Sequence, residues 1–314
     1  MKGIKVSYYG ATDVGRRRKN NEDTLIARKI WDSRHILLAA IDGMGGEDGG
    51  EIAADIAEKS MIKYLEENRE GTMADLIKEA MVYANNEIIE YKLREHRLER
   101  MGCVATAGIV DVADATLSIA HVGDSRLYRY SGDQLEKLTH DHSLVGYQEE
   151  QGLLTEKQAM KHPMRSVIER CLGYQMHEPT DKNFVESAVF PLEVGEKFLF
   201  CSDGVCDMLT SAQISECLAS APTPEEASRN IINAANKAGG KDNITAVVAY
   251  VAQSEGEAES GNDESSEVRE SGKEDREEEL PFKPPRKGWM RRNWWVLLIF
   301  GLLIAFGIVI ACFT

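Results

Sequence analysis

The stretch His35-Ile-Leu-Leu-Ala-Ala-Ile-Asp-Gly-Met44 decides the fold. Its apolar run predicts a β-strand over residues 35–41, and the polar residues begin directly after it. Asp42 and Gly43 therefore stand at the end of a strand, where a β-scaffold projects side chains towards one rim. The glycine allows a close approach of the backbone at that point.

Four further apolar runs rich in β-forming residues predict strands over residues 115–122, 127–130, 197–201 and 244–251. Tyr130 and Leu135 flank a Ser-Gly-Asp turn, which predicts a hairpin. Amphipathic patterns predict helices over residues 51–68 and 73–100, and Thr223-Pro-Glu-Glu226 predicts the start of a helix that ends at Gly239. Strands grouped with strands and helices with helices favour an α+β fold with antiparallel pairing over alternating βαβ units.

Four carboxylates follow predicted strands or lead into them: Asp42, Asp124, Asp203 and Asp242. Each lies beside a glycine or a turn, so the strand ends can bring the four side chains to one rim. Converging carboxylates repel one another, and a bound metal ion removes that repulsion. No cluster of His or Cys accompanies them, which favours a hard cation such as magnesium or manganese over zinc.

The net charge of −15 is unevenly distributed along the 314 residues. Residues 1–252 carry −11, residues 253–280 carry −9, and residues 281–314 carry +5. An acidic main domain argues against nucleic-acid binding, because affinity for nucleic acid comes largely from Lys and Arg that neutralise phosphates. The six cysteines have no paired CxxC spacing, which is typical of buried free thiols in a reducing compartment.

The last part of the chain predicts a membrane anchor. Residues 294–313 contain no charge, and twenty helical residues span about 30 Å of hydrocarbon. The basic juxtamembrane segment 281–293 places residues 1–293 on the cytoplasmic face of the cell membrane by the positive-inside rule. The acidic segment 253–280 has too few apolar residues to fold, so we expect a disordered linker between the main domain, residues 1–252, and the single-pass anchor.

Five ordered motifs resemble the metal-dependent Ser/Thr protein phosphatases, also called the type 2C or PPM group, and in particular its bacterial branch. The resemblance runs from about residue 6 to residue 251. The matching stretches are Gly15-x-x-Arg18-x-x-Asn21-Glu22-Asp23, Asp42-Gly43-Met44-Gly45-Gly46, Gly123-Asp124-Ser125-Arg126, Ser202-Asp203-Gly204 and Gly240-x-Asp242-Asn243-Ile244-Thr245.

This resemblance implies a sandwich of two antiparallel β-sheets flanked by helices, with a two-metal site at one end. It implies that Asp42 bridges two divalent cations, Mn²⁺ or Mg²⁺, and that the carbonyl of Gly43 completes the first. Asp203 and Asp242 are then ligands of the second cation. Asp124, together with Asp203, resembles the ligands of a third, more weakly bound ion in bacterial members.

Two further residues receive roles from the resemblance. Arg18 matches the arginine that holds the substrate phosphate, a role for which guanidinium offers two parallel donors. Asp23 resembles a residue that orients metal-bound water. Several eukaryotic relatives have a histidine at the position of Met44, and that histidine is thought to protonate the leaving group. Methionine cannot donate that proton, so the general acid is left unassigned.

Together these features predict a protein phosphatase that removes phosphate from Ser or Thr through a water activated by two metal ions, tethered to the membrane and opposing a bacterial Ser/Thr kinase. Two alternatives stay open. The domain can be a catalytically weak pseudophosphatase scaffold that recruits phosphoproteins to the membrane. It can also be a regulator that dephosphorylates one dedicated partner, which differs from the first interpretation in substrate only.

Overall fold

Ten strands in two sheets, together with seven helices, make up the part of the chain that the structure, a computed structural model, describes: residues 3–45, 49–95 and 98–254. The strands are β1 (Ile4–Asp13), β2 (Asp23–Lys29), β3 (His35–Met44), β4 (Gly102–Asp111), β5 (Thr116–Val122), β6 (Arg126–Ser131), β7 (Gln134–Lys137), β8 (Glu186–Pro191), β9 (Lys197–Cys201) and β10 (Ile244–Gln253). The helices are α1 (Gly49–Glu67), α2 (Met73–Arg94), α3 (Leu144–Glu150), α4 (Glu156–Ala159), α5 (Asp203–Cys206), α6 (Ser211–Ser220) and α7 (Pro224–Ala238).

The strands of both sheets pair in antiparallel fashion. The β10 sheet has the order β1-β10-β9-β6-β7, and the β3 sheet has the order β2-β3-β4-β5-β8. The predicted α+β class with antiparallel pairing is therefore confirmed. The predicted hairpin is also confirmed, since Tyr130 pairs with Leu135 across a two-residue turn.

Side chains between the two sheets form the central core of the sandwich. Ile36 and Leu38 of β3 belong to one buried cluster with Phe200 of β9. Successive side chains of a strand point to opposite faces, so Leu37 and Ile41 belong to a different cluster, which includes α1 and α2. Both faces of β3 are thus buried, which explains why its sequence is an unbroken apolar run instead of an alternating one.

Helices cover the outer face of each sheet. Helices α1 and α2 pack on the β3 sheet through side chains such as Met61 and Ile77, and α6 and α7 pack on the β10 sheet through Ile214 and Ile231. The side-chain oxygen of Thr223 accepts a hydrogen bond from the Glu226 N–H at the start of α7, as predicted. The result is the predicted sandwich of two antiparallel sheets flanked by helices.

Two details of the sequence-based prediction were wrong or incomplete. Strands β1, β2 and β8 were not predicted, because they lie at sheet edges where polar side chains interrupt the apolar pattern. Strand β4 was not predicted either, since it is built largely from small residues. Helix α2 ends at Arg94 and not at residue 100; the sequence there contains no glycine or proline that marks a stop.

The predicted membrane anchor cannot be compared with this fold. Within the described residues no helix is both long enough and apolar enough to cross a membrane. Residues 255–280 of the acidic linker, the basic segment 281–293 and the predicted span 294–313 lie outside the described residues. The boundaries assigned to those segments stay predictions.

Candidate metal centre

Five aspartates meet at one end of the sandwich, at the ends of strands from both sheets. In the β3 sheet, Asp23 of β2 lies directly opposite Asp42 of β3 in the strand register, and Asp124 lies in the turn between β5 and β6. In the β10 sheet, Asp203 follows β9 by two residues and Asp242 precedes β10 by two. The charge of each of the other four acts on the carboxyl group of Asp42, so the five carboxyl groups are neighbours, although within the described residues no three of them have ligand oxygens within 4.8 Å of one another.

This convergence changes the acidity of the carboxyl groups. Burial first, and then repulsion from neighbouring aspartates, raises the pKa of Asp42 well above its usual range. Burial raises the pKa of Asp23 to about 7 and that of Asp124 to about 8, and repulsion by Asp203 adds to both. Burial also raises the pKa of Asp203, although the neighbouring Arg165 opposes this shift. Such a group of acids favours protons, or a cation that takes their place.

Two buried oxygen atoms at this centre accept no hydrogen bond within the described residues. They are Oδ1 of Asp23 and Oδ1 of Asp203. The other oxygen of Asp23, Oδ2, accepts hydrogen bonds from Ser202 Oγ at 2.8 Å and from Thr245 Oγ1 at 2.7 Å. A buried polar atom without a partner is costly, and carboxylate oxygens are the ligands that Mg²⁺ and Mn²⁺ prefer, so the donor set fits a hard divalent cation.

Gly43 fixes the backbone beside Asp42. Its N–H donates to the carbonyl oxygen of Glu22 at 3.1 Å. A Cβ atom at this position would lie 2.2 Å from the carbonyl oxygen of Gly50, closer than any side chain permits. Only glycine fits here, because the first residues of α1 approach β3 so closely. The role of the Gly43 carbonyl as a metal ligand stays a prediction.

Arg18 lies in the loop between β1 and β2 and reaches the rim of the centre. Its Nη2 donates to Asp242 Oδ2 at 2.8 Å, and its Nη1 lies 3.6 Å from Glu22 Oε2. Although partial burial opposes the shift, the hydrogen bond to Asp242 raises the pKa of Arg18, so the guanidinium stays charged. With 47% of its side chain exposed, Arg18 offers donors to a ligand that arrives from solvent.

The sequence analysis missed a second arginine at the centre. Arg165 lies between α4 and β8; its Nη2 donates to Asp203 Oδ2 at 2.9 Å, and its Nη1 forms an ion pair with Asp207. Asp124, Arg165 and Asp203 line one cavity of about 30 Å³, which has room for a water molecule or an ion. No local pattern marks Arg165, since its partners are distant in the sequence.

Arg126, in contrast, has a structural role. Its Nη2 lies 2.6 Å from Asp141 Oδ2 and 2.9 Å from Glu149 Oε2, and only 12% of its side chain is exposed. The three side chains hold the start of β6 to the segment that follows β7 and to α3. Arg126 is therefore not available to a substrate.

A second group of potential ligands lies beside the aspartates. His121, His142 and Glu186 bring one ligand atom each within 4.8 Å of one another, and within the described residues no other three such side chains come this close. The Gly123 N–H donates to Nδ1 of His142 at 3.0 Å, which places the proton of the neutral ring on Nε2, facing Glu186. His121 Nε2 lies 3.0 Å from the carbonyl oxygen of His140, to which it donates. These rings therefore form a hydrogen-bonded network and are not free to bind a metal.

The network also explains the two shifted pKa values found there. Burial lowers the pKa of His121 to about 4, and the neighbouring His142 disfavours a second positive charge there. Burial would raise the pKa of Glu186, but hydrogen bonds from His142 and His140 outweigh it and lower the value to about 2. The buried ring of His121 is therefore neutral, and it lies near the ionised carboxylate of Glu186. Such a pair stabilises the fold and does not exchange protons near neutral pH. The buried rings of His121 and His142 thus have a structural role.

Comparison with known proteins identifies the family. A sequence profile described as Protein phosphatase 2C matches residues 15–246. A serine/threonine phosphatase, stp, from Listeria innocua is 34% identical over 241 residues, which are 76% of this chain and 92% of the relative. The serine/threonine protein phosphatase PstP from Mycobacterium tuberculosis is 32% identical over 248 residues, which are 79% of this chain and 45% of the relative.

A solved structure extends the comparison to the fold. The catalytic domain of the serine/threonine protein phosphatase PstP in complex with two manganese ions superimposes with a TM-score of 0.68 at 29% identity, over 80% of this chain and all of that domain. The sandwich fold, the sequence motifs and the profile match all indicate the same family. The chain therefore belongs to the protein phosphatase 2C family. It is an enzyme of the protein serine/threonine phosphatase class.

The raised pKa values predict an unusual pH dependence of stability when EDTA removes divalent cations. The ordinary pKa of an unfolded Asp is about 4, so between about pH 4 and pH 8 the folded state binds more protons than the unfolded state. The free energy of unfolding should then fall as pH rises, by up to about 1.4 kcal/mol per pH unit for each such carboxyl group. Urea unfolding at several pH values measures this slope.

Asp124→Asn should flatten the slope, whereas Asp55→Asn on the exposed face of α1 serves as the matched control and should not. Added Mn²⁺ should reverse the trend, because metal binding competes with protons and stabilises the folded state more at higher pH. A free energy of unfolding that rises steadily from pH 5 to pH 8 in EDTA would contradict the carboxylate arrangement.

Proposed function

We propose that the chain hydrolyses phosphoserine and phosphothreonine in proteins, using two divalent cations, Mn²⁺ or Mg²⁺. The observation that carries this proposal is the group of strand-end aspartates with partnerless buried oxygens on Asp23 and Asp203. In this proposal Asp42, the Gly43 carbonyl, Asp203 and Asp242 would hold the two cations. When bound, such ions lower the pKa of water and neutralise charge that develops on the phosphoryl group.

The chain's own residues then bind and orient the substrate. Arg18, exposed at the rim, donates to phosphate oxygens in place of its present hydrogen bond to Asp242. Asp23 is held by Ser202 and Thr245 through Oδ2, so its Oδ1 is left to accept a hydrogen bond from water at the centre. Asp124 and Asp203, which line the same small cavity, are the proposed ligands of a third, more weakly bound ion.

The general acid is not a buried histidine in this proposal. His121 and His142 are engaged in hydrogen bonds with His140 and Gly123, and Met44 has no proton to donate. Water at the centre is left as the proton source for the leaving alkoxide.

A scaffold that merely binds phosphoproteins is less well supported than an enzyme. Loss of activity would be expected to remove ligands, yet Asp42, Asp203 and Asp242 are all present and converge. The relatives from Listeria innocua and Mycobacterium tuberculosis are named as phosphatases and match nearly the same stretch of this chain. Narrow specificity for one partner stays compatible with this proposal, because it differs in substrate only.

We further propose that the enzyme is attached to the cytoplasmic face of the cell membrane and opposes a cognate Ser/Thr kinase. The support is the sequence of residues 281–313, a basic segment followed by twenty uncharged residues. The acidic linker, 253–280, would be repelled by an anionic leaflet and would hold the catalytic domain away from it. A kinase partner follows from the activity, since the substrates must first be phosphorylated.

Asp203→Asn should lower hydrolysis of para-nitrophenyl phosphate at least about 100-fold at limiting Mn²⁺, because the variant loses a charged ligand of the second cation. EDTA should abolish the activity of the unaltered chain, and Mn²⁺ should restore it. Asp55→Asn makes the same chemical change on an exposed helix face and should retain full activity. Unchanged turnover of Asp203→Asn at limiting Mn²⁺ would refute the ligand assignment, and a folded chain inactive with every metal would refute the proposed function.

Arg18→Ala should raise KM for a phosphothreonine peptide about ten- to a hundredfold and lower kcat less, if the guanidinium binds ground state and transition state alike. Steady-state kinetics on the peptide measure both constants. Arg18→Lys is the matched control; it keeps the charge but not the paired donors and should recover only part of the loss. A KM equal to that of the unaltered chain would exclude contact between Arg18 and the phosphate.

Deletion of residues 289–314 should release the protein from the membrane fraction, since it removes the proposed span and its adjoining Trp289 and basic residues. Hydrolysis of para-nitrophenyl phosphate should be unaffected, because the deleted residues lie far in sequence from the predicted ligands. Fractionation of cell membranes, with the activity assay as control, tests both statements. Continued sedimentation of the shortened chain with membranes would refute the anchor.

A further inference from the structure

Four cations are close sequence neighbours of Arg18 and of its hydrogen-bond partner Asp242. We define them as the basic rim: Arg16, Arg17, Lys19 and Lys241, all of them exposed. Within residues 3–45, 49–95 and 98–254, no carboxylate forms an ion pair with any of the four. The basic rim is therefore a patch of uncompensated positive charge beside a centre of aspartates.

The basic rim is distinguished by its clustering, since single exposed cations such as Lys5, Lys29 and Arg69 also have no ion pair within the described residues. Arg28, Arg34, Arg129 and Arg229 are also surface arginines, and each of them forms an ion pair with a nearby glutamate or aspartate. Residues 1–252 carry a net charge of −11, so acidic partners are abundant. Four unpaired cations in one place on such a domain are available to an external anion.

The loop that carries three of these cations is held in place. Nδ2 of Asn243, a buried residue, donates to the carbonyl oxygens of Val14 at 3.0 Å and Asn20 at 2.9 Å, so both ends of the loop are fixed by one side chain. The Arg16 N–H donates to the Gly240 carbonyl oxygen at 2.7 Å. Gly15 has a φ of +79°, and a Cβ there would lie 2.1 Å from the Asp242 carbonyl oxygen. The backbone that carries these cations is thus fixed relative to the candidate metal centre, whereas their long side chains extend from it into solvent.

We propose that the basic rim selects phosphoprotein segments with Asp or Glu within about three residues of the phosphorylated Ser or Thr. This inference rests on the proposed function, in which Arg18 holds the phosphate. An extended peptide advances about 3.3–3.6 Å per residue, so carboxylates two or three positions away fall within reach of long side chains that flank Arg18. Rim charges of this kind affect the rate of association and its salt dependence.

An acidic peptide fits the observations better than an anionic membrane surface. The basic rim borders the centre itself, where Glu22 and Asp242 also lie, and a flat anionic surface would face those carboxylates too. A peptide enters as a narrow chain and meets the cations one at a time. Each exposed ion pair contributes a factor of only about 1.5 to 5, but three together give about tenfold.

The test uses the full chain with Mn²⁺ and two phosphothreonine peptides. The acidic peptide has Asp and Glu near the phosphothreonine, and the neutral peptide has Asn and Gln at the same positions but is otherwise identical. The measured quantity is the ratio of kcat/KM for the acidic and the neutral peptide. We expect a ratio of about ten at low salt, which falls towards one at high salt because screening weakens exposed pairs. In the variant R16S/R17S/K19S the ratio should fall to about two, because the three loop cations of the rim are lost.

A charge-matched control is the variant K5S/K29S/R69S, whose three exposed cations lie near the far ends of β1 and β2 and after α1. Its ratio should equal that of the unaltered chain. A ratio of one in the unaltered chain, or an equal fall in both variants, would overturn the inference. Capture of the unaltered chain but not R16S/R17S/K19S by anionic vesicles, with a peptide ratio of one, would also overturn it in favour of a membrane role.

Failure of this inference is distinguishable from failure of the proposed function. Hydrolysis of para-nitrophenyl phosphate by the unaltered chain reports the activity alone, since this substrate has no flanking residues. Activity on that compound with a peptide ratio of one would refute the basic rim and leave the phosphatase activity intact.

Discussion

Electrostatic repulsion between buried carboxylates is the constraint on which this structure depends. Burial raises the pKa values of Asp23, Asp42, Asp124 and Asp203, and the charge of at least one other aspartate adds to the shift of each. A fold optimised for stability alone would separate these groups or replace some of them with neutral residues. The sandwich instead holds them at strand ends, so part of its stability is given up to keep the proposed cation ligands near one another.

The fold could be predicted where burial on both faces shapes the sequence. The run at 35–41 is apolar throughout because β3 faces a helix layer on one side and the second sheet on the other. Edge strands such as β1 and β8 have one partner strand and polar side chains, so the same signal is absent. The end of α2 was also missed, because no glycine or proline marks it in the sequence.

The candidate site could be predicted only in part, for a related reason. Each ligand aspartate has a local mark, a strand before or after it and a glycine or turn beside it, and Asp42 is the clearest case. Arg165 has no such mark, since its bond to Asp203 joins residues far apart in the sequence. The hydroxyl groups of Ser202 and Thr245 lay within the quoted motifs, but their common contact with Asp23 follows from the sheet packing.

That contact joins the two sheets. Asp23 belongs to the β3 sheet, whereas Thr245 belongs to the β10 sheet and Ser202 follows one of its strands, and Thr245 bonds onward to Thr12 of β1 at 2.8 Å. Because these hydrogen bonds join the two sheets, a change in the distance between the sheets also changes the positions of the aspartates. A core substitution that shifts one sheet relative to the other should therefore weaken the affinity for the metal ions, even when the substituted residue is far from them. The affinity for metal ions thus reports how well the two sheets are packed together.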